Sequence, residues 1–110
     1  MKNIIIINFT NQILSFNNQS NIEQYPNFEN LKITNQQSCY IITKSLSDIP
    51  DPEYATKIID QCNIPFYLIT INMEPNLIEK SPLTNSVKAV ISGLNQKNLI
   101  IKLNELINMV

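Results

Sequence analysis

SCYIITKSLSDIPDPEYATKIIDQCNIPFYLITIN, Ser38 to Asn72, reads as strand, helix, strand. Cys39 to Thr43 is a short apolar run, β-branched and aromatic, without alternation. Such a run suits a strand covered on both faces, as in a parallel sheet. Asp51-Pro52-Glu53 then carries a helix start: a side chain able to accept from a free backbone N–H, a proline at the first helical position, and an acid in the first turn. Tyr54, Ala55, Ile58, Ile59 and Cys62 share one helical face. Asn63 suits the left-handed position after the helix, and Pro65 stops it. Pro65 to Ile71 is the next buried strand, so the two strands should be parallel with a right-handed crossover.

The same reading extends outward. Lys2 to Asn8 carries four consecutive isoleucines and predicts a central, doubly covered strand. Thr10 or Asn11 can cap a helix through Ile13, Leu14, Phe16 and Asn17; alternatively, Gln12 to Phe16 pairs with the first strand as a hairpin. Glu23 to Glu29 reads as a loop interrupted by Pro26, and Leu31 to Thr34 as a short edge strand in which Lys32 alternates with apolar residues. Residues 74–80 have room for one or two helical turns before Pro82. Val87 to Ser92 is the last strand, ended by Gly93. Asn95 caps a final helix whose stripe is Leu99, Ile100, Leu103, Leu106, Ile107 and Val110, with Ile101 and Met109 off it. The alternation predicts a single α/β domain over residues 1–110. Its expected form is a three-layer sandwich on a mostly parallel five-stranded sheet in the doubly wound order 2-1-3-4-5.

Composition removes whole classes of function. The 110 residues suit one domain, and eight lysines against nine acids leave a net charge of −1, so no broad field attracts nucleic acid or anionic membrane. All eight basic residues are lysines, which weighs against bidentate phosphate recognition. With no histidine, the usual general base and the commonest metal ligand are missing. Cys39 and Cys62 lie far apart without metal-site spacing and read as small buried side chains of a reducing compartment. The first apolar run stops at Asn8, short of a secretory or membrane segment, so a soluble, cytoplasmic protein is expected.

This order of elements resembles the receiver domain of bacterial response regulators, most of all in the closing VKAVISGLNQKNLIIKLNELI, which looks like a receiver's last strand, tight turn and final helix. The resemblance implies a flavodoxin-like fold, and also shows what this chain lacks. Receivers hold magnesium with an acidic pair after the first strand, where Asn8, Phe9 and Thr10 stand here. The phospho-accepting aspartate would fall at Thr43 or Lys44, and Asp48 and Asp51 lie further on. Thr70 or Asn72 stands near the family's Thr or Ser, while Ser92 replaces its lysine. The resemblance therefore implies a pseudo-receiver with no metal and no cofactor, unable to accept a phosphoryl group. Flavodoxins share the fold, but Asn8 to Gln12 has no glycine for close approach to a flavin phosphate.

In an open parallel sheet a ligand is expected at the carboxyl ends of the strands. Thr10, Asn11, Lys44 and Ser45, with Ser47, Asn72 and Gly93, would form that rim. Lys44 is the one rim residue suited to Schiff-base or anion chemistry, and no nucleophile–base pair can be assembled around it. The expectation is thus a non-enzymatic regulatory module that works through a protein partner or a homodimer. By analogy with receivers its docking face would use Leu77, Ile78, Lys88, Ile101, Lys102 and Glu105. The alternatives are a small-ligand-binding domain using the rim, or a structural subunit of a larger assembly.

Overall fold

The computed structural model describes residues 3–10, 21–29, 31–33, 36–71 and 83–109. Five strands, β1 (Asn3–Asn8), β2 (Asn21–Tyr25), β3 (Ser38–Thr43), β4 (Phe66–Ile71) and β5 (Ala89–Leu94), form one sheet in the order β2-β1-β3-β4-β5. Every pairing is parallel, as in flavodoxin-like folds. Among the described residues the helices are α1 (Pro52–Gln61), α2 (Leu83–Ser86) and α3 (Gln96–Met109), with a 3-10 turn at Leu46–Asp48.

Strand side chains alternate between two cores. Ile5, Ile7, Cys39, Ile41 and Leu68 pack with Ala55 and Ile59 of α1 and Leu83 of α2. Ile4, Ile6, Tyr40, Ile42 and Ile69 pack with Leu99 and Leu103 of α3. Unbroken apolar runs therefore mean what they were read to mean, a sheet with both faces covered. On the α3 side, paired Tyr40 and Tyr67 stack with ring centroids 5.1 Å apart.

The second strand is not where the hydrophobic pattern put it. Leu31–Ile33 has no regular structure, and the edge strand is Asn21–Tyr25, part of which had read as loop. Crossover length explains the difference. A parallel connection needs about a dozen residues or more. The observed β2 leaves residues 9–20 and 26–37, twelve on each side, whereas a strand at 31–34 leaves only 35–37 before β3. Leu31 and Ile33 still pack on the α1-side core, from an irregular segment that also buries Phe28. The helix-or-hairpin alternative over residues 11–17 lies outside the described residues, and both edges of β1 are occupied, by β2 and β3.

Other boundaries shift for local reasons. Gly93 does not end the last strand. The register steps from Ile69↔Ile91 to Ile71↔Leu94, so Thr70 opposes both Ser92 and Gly93 in a bulge. Val87 and Lys88 precede the strand, with the Lys88 N–H donating to the Phe66 carbonyl at 2.7 Å. Asp51 caps α1 as expected, its Oδ1 accepting from the Tyr54 N–H at 3.1 Å, but at a left-handed φ of 51°. Aspartate is among the few side chains that tolerate that region. Asn63 does not take the left-handed position, because α1 ends on extended Cys62, whose N–H bonds back to the Ile59 carbonyl at 3.2 Å. Asn95 and Asn98 cap α3 reciprocally: each side-chain oxygen accepts from the other's backbone N–H, at 2.9 and 3.0 Å. The short helix expected over residues 74–80 lies outside the described residues.

Candidate functional site

The chain reverses its direction of winding between β1 and β3, which leaves a crevice beyond their carboxyl ends. β1 closes there on Asn8, whose Oδ1 accepts from both the N–H of Thr10 (2.9 Å) and its hydroxyl. The Phe9 N–H donates to the Ile42 carbonyl at 2.9 Å and ties this corner to β3. β3 closes on buried Thr43, whose Oγ1 donates to the Ser45 carbonyl (2.6 Å) and accepts from the Ser45 N–H (3.3 Å). These short-range bonds are what Asn, Ser and Thr do at strand ends.

Asn8, Thr10, Pro26, Lys44 and Asp48 line a cavity of about 330 Å³ at this switch point, together with Phe9. Among the described residues the one ion pair joins Lys102 to Glu105, so the Lys44 ammonium and the Asp48 carboxylate border this cavity without pairing to each other. The cavity offers a cation, an anion, an amide and a hydroxyl.

Of the expected rim residues, the structure brings Thr10 and Lys44 into this cavity. Ser45 and Ser47 lie beside it, and their hydroxyls are engaged in the 3-10 turn: Ser45 Oγ accepts from the Ser47 N–H at 3.3 Å and lies 2.8 Å from Ser47 Oγ. Gly93 lies at the same carboxyl end of the sheet but in β5, three strand spacings from β1, roughly 14 Å, and does not line this cavity. Asn11 and Asn72 lie outside the described residues. Asn8, Pro26 and Asp48 were not assigned to the rim from the sequence. Asn8 and Asp48 were within reach of the same strand-end logic, whereas Pro26 enters from the β2–β3 connection and depends on the true position of β2.

The donor set does not fit a receiver's magnesium. Among the described residues no three Asp, Glu, His or Cys side chains are grouped to hold a metal ion, and Asp48 is the one carboxylate on this cavity. Neither thiol is poised for attack. Burial, reinforced by the charge of Cys62, pushes the Cys39 thiol well above its usual range, and desolvation raises that of Cys62, which donates to the Ile58 carbonyl at 3.0 Å.

Of the expected docking residues, Lys88 is exposed ahead of β5. Ile101 is 61% exposed on α3, and the neighbouring Lys102 and Glu105 form a 3.9 Å ion pair. Leu77 and Ile78 lie outside the described residues. Among the described residues no helix is long and apolar enough to cross a membrane. The chain matches no known family, curated protein or solved structure.

Proposed function

We propose that this chain is a non-enzymatic, cytoplasmic regulatory module built like a receiver domain but without phosphotransfer chemistry, acting through a protein partner or a second copy of itself. The observation that carries this reading is the residue set at the strand ends. The positions that would need carboxylates hold Asn8, Thr10, Thr43 and Lys44, and the hydroxyls among them are tied into local turns. A hard cation needs several oxygen ligands, and a receiver's phosphoryl group needs an aspartate to accept it and that cation to balance its charge. With that chemistry gone, output rests on a surface, and α3 offers Ile101 beside the Lys102–Glu105 pair, an apolar centre with a charged border.

Two measurements test the two halves of the proposal. Ile101→Glu with Lys102→Glu should abolish self-association or partner capture while leaving the thermal midpoint close to that of the parent, because both sites are on the surface. If oligomeric state and partner binding are both unchanged, the α3 face is not the docking surface. Magnesium with beryllofluoride, which mimics a phosphorylated aspartate, should leave the amide resonances around Thr43 and Lys44 in place. Shifts there would mean that receiver chemistry survives.

A second reading, a small-ligand-binding domain, is favoured by the cavity that carries unpaired Lys44 and Asp48. Native mass spectrometry separates the two. A bare dimer supports the docking module, and a monomer with removable extra mass supports the ligand site.

A further inference from the structure

A second cleft, also about 330 Å³, borders the first and shares Phe9 with it, but its chemistry differs. Its aromatic lining comes from three separate parts of the chain: Phe9 after β1, Phe28 in the β2–β3 connection, and Tyr54 in the first turn of α1. Phe28 is buried and fixes that wall, its ring tilted 35° against Phe9 at a centroid distance of 6.0 Å. Tyr54 is 44% exposed, a large aromatic surface left at the mouth. Among the described residues, the charged ones lining the cleft are Glu29 and Asp51, both exposed and both acidic.

Local bonds position these acids. The Glu29 N–H donates to Asn27 Oδ1 at 2.8 Å, which holds the turn that carries the glutamate. Asp51 caps α1 through Oδ1, and a carboxylate retains acceptor capacity beyond one such bond. Aromatic faces carry negative quadrupole density and attract cations, more strongly where water is partly excluded. Carboxylates at the mouth add long-range attraction for the same sign of charge and repel anions. Two carboxylates without a third ligand make a poor metal chelate, and the cleft is far larger than a bare ion. Its volume sits at the lower end of small-molecule sites.

We propose that this cleft binds a small organic ammonium ion, a methylated or primary alkylamine, held against Phe9, Phe28 and Tyr54 and countered by Asp51 and Glu29. The assignment goes beyond both functional readings above. It needs neither the α3 docking face nor the Lys44–Asp48 cavity, and no rim acid is shared with that cavity.

Calorimetric titration of the full chain with choline chloride, n-butylammonium chloride and 3,3-dimethylbutan-1-ol tests it. The alcohol matches choline in shape without its charge. Saturable binding is expected for at least one of the two cations, weakening as sodium chloride is raised, with the alcohol at least roughly tenfold weaker than choline. Asp51→Asn keeps a capping oxygen and a residue tolerant of the left-handed backbone, so the fold should persist. That variant and Tyr54→Ala should each weaken cation binding by roughly tenfold, the change that about 1.4 kcal/mol produces. Amide shifts on titration should centre on Phe9, Phe28 and Tyr54. The proposal is overturned if neither cation binds saturably, if the alcohol binds as well as choline, if folded Asp51→Asn and Tyr54→Ala bind like the parent, or if the shifts centre on Lys44 and Asp48.

Discussion

Ile6→Ala should remove about 2–5 kcal/mol of folding stability. Ile6 sits in the middle of β1, which pairs on both edges, with β2 and β3. Its side chain is fully buried in the cluster that α3 closes through Leu99 and Leu103. Truncation loses the transfer free energy of the deleted carbons and leaves a void that β-branched neighbours such as Ile4 and Ile42 are too stiff to fill. Domains of this size hold only about 5–15 kcal/mol in total. At urea slopes of about 1–3 kcal/mol per molar, the unfolding midpoint should fall by roughly 0.7–5 M. Ile101→Ala is the control: the same chemical change on the exposed face of α3 should stay within about 0.5 kcal/mol. Equal midpoints for the two variants would mean that β1 is not central.

The second large effect is an alkaline loss of stability carried mainly by one buried thiol. Cys39 is fully buried in β3, and desolvation, with a smaller contribution from the charge of Cys62, raises its thiol well above the ordinary value of 9.0. The unfolded chain ionises this thiol near its ordinary value. Above about pH 9 the unfolded state has therefore lost a proton that the folded state keeps. Stability is full below that value and falls as the pH rises towards the folded pKa, by up to about 1.4 kcal/mol per pH unit. Between about pH 8 and pH 10 the expected loss is roughly 1.4 kcal/mol, because only the unit above pH 9 contributes fully. Cys62, raised in the same direction but only half-buried, adds to it. Cys39→Ala should start from a lower stability, having lost a buried sulfur, yet show a flatter alkaline limb in urea titrations. If parent and variant lose stability in parallel over this range, the Cys39 thiol is not the titrating group.

Both expectations follow from features already visible in the chain. Ile4–Ile7 and Cys39–Thr43 lack polar alternation, and a strand with no polar face has to be covered on both sides. The Asp51-Pro52-Glu53 start and the Asn95 cap are equally local, since a cap depends on one side chain and the next three residues. Local pattern and structure part where the deciding partner is distant in sequence. Leu31-Lys32-Ile33 alternates like an edge strand, but its apolar side chains are buried from an irregular segment, and polar Asn21–Tyr25 becomes a strand because β1 offers it an edge. Crossover length disfavours residues 31–34 as that edge, but only the pairing with β1 picks out Asn21–Tyr25.

The two clefts divide along the same line. Thr10 and Lys44 were legible as rim residues because strand ends in a doubly wound sheet face the switch point. Phe9, Phe28 and Tyr54 carried no such signal. Each is an ordinary aromatic in its own stretch, and they become one lining only where the β2–β3 connection and the start of α1 meet the end of β1.

What the amino-acid order determined by itself was therefore the alternation of strands and helices and a parallel sheet covered on both faces, because periodicity and caps act over a few residues; the winding order follows from the general rules for such sheets. The tertiary structure alone decided which segment completes the sheet edge, that Gly93 bulges rather than stops β5, and that three unrelated aromatics and two carboxylates share a cleft. Those outcomes depend on pairing and packing between segments tens of residues apart, and no local pattern encodes them.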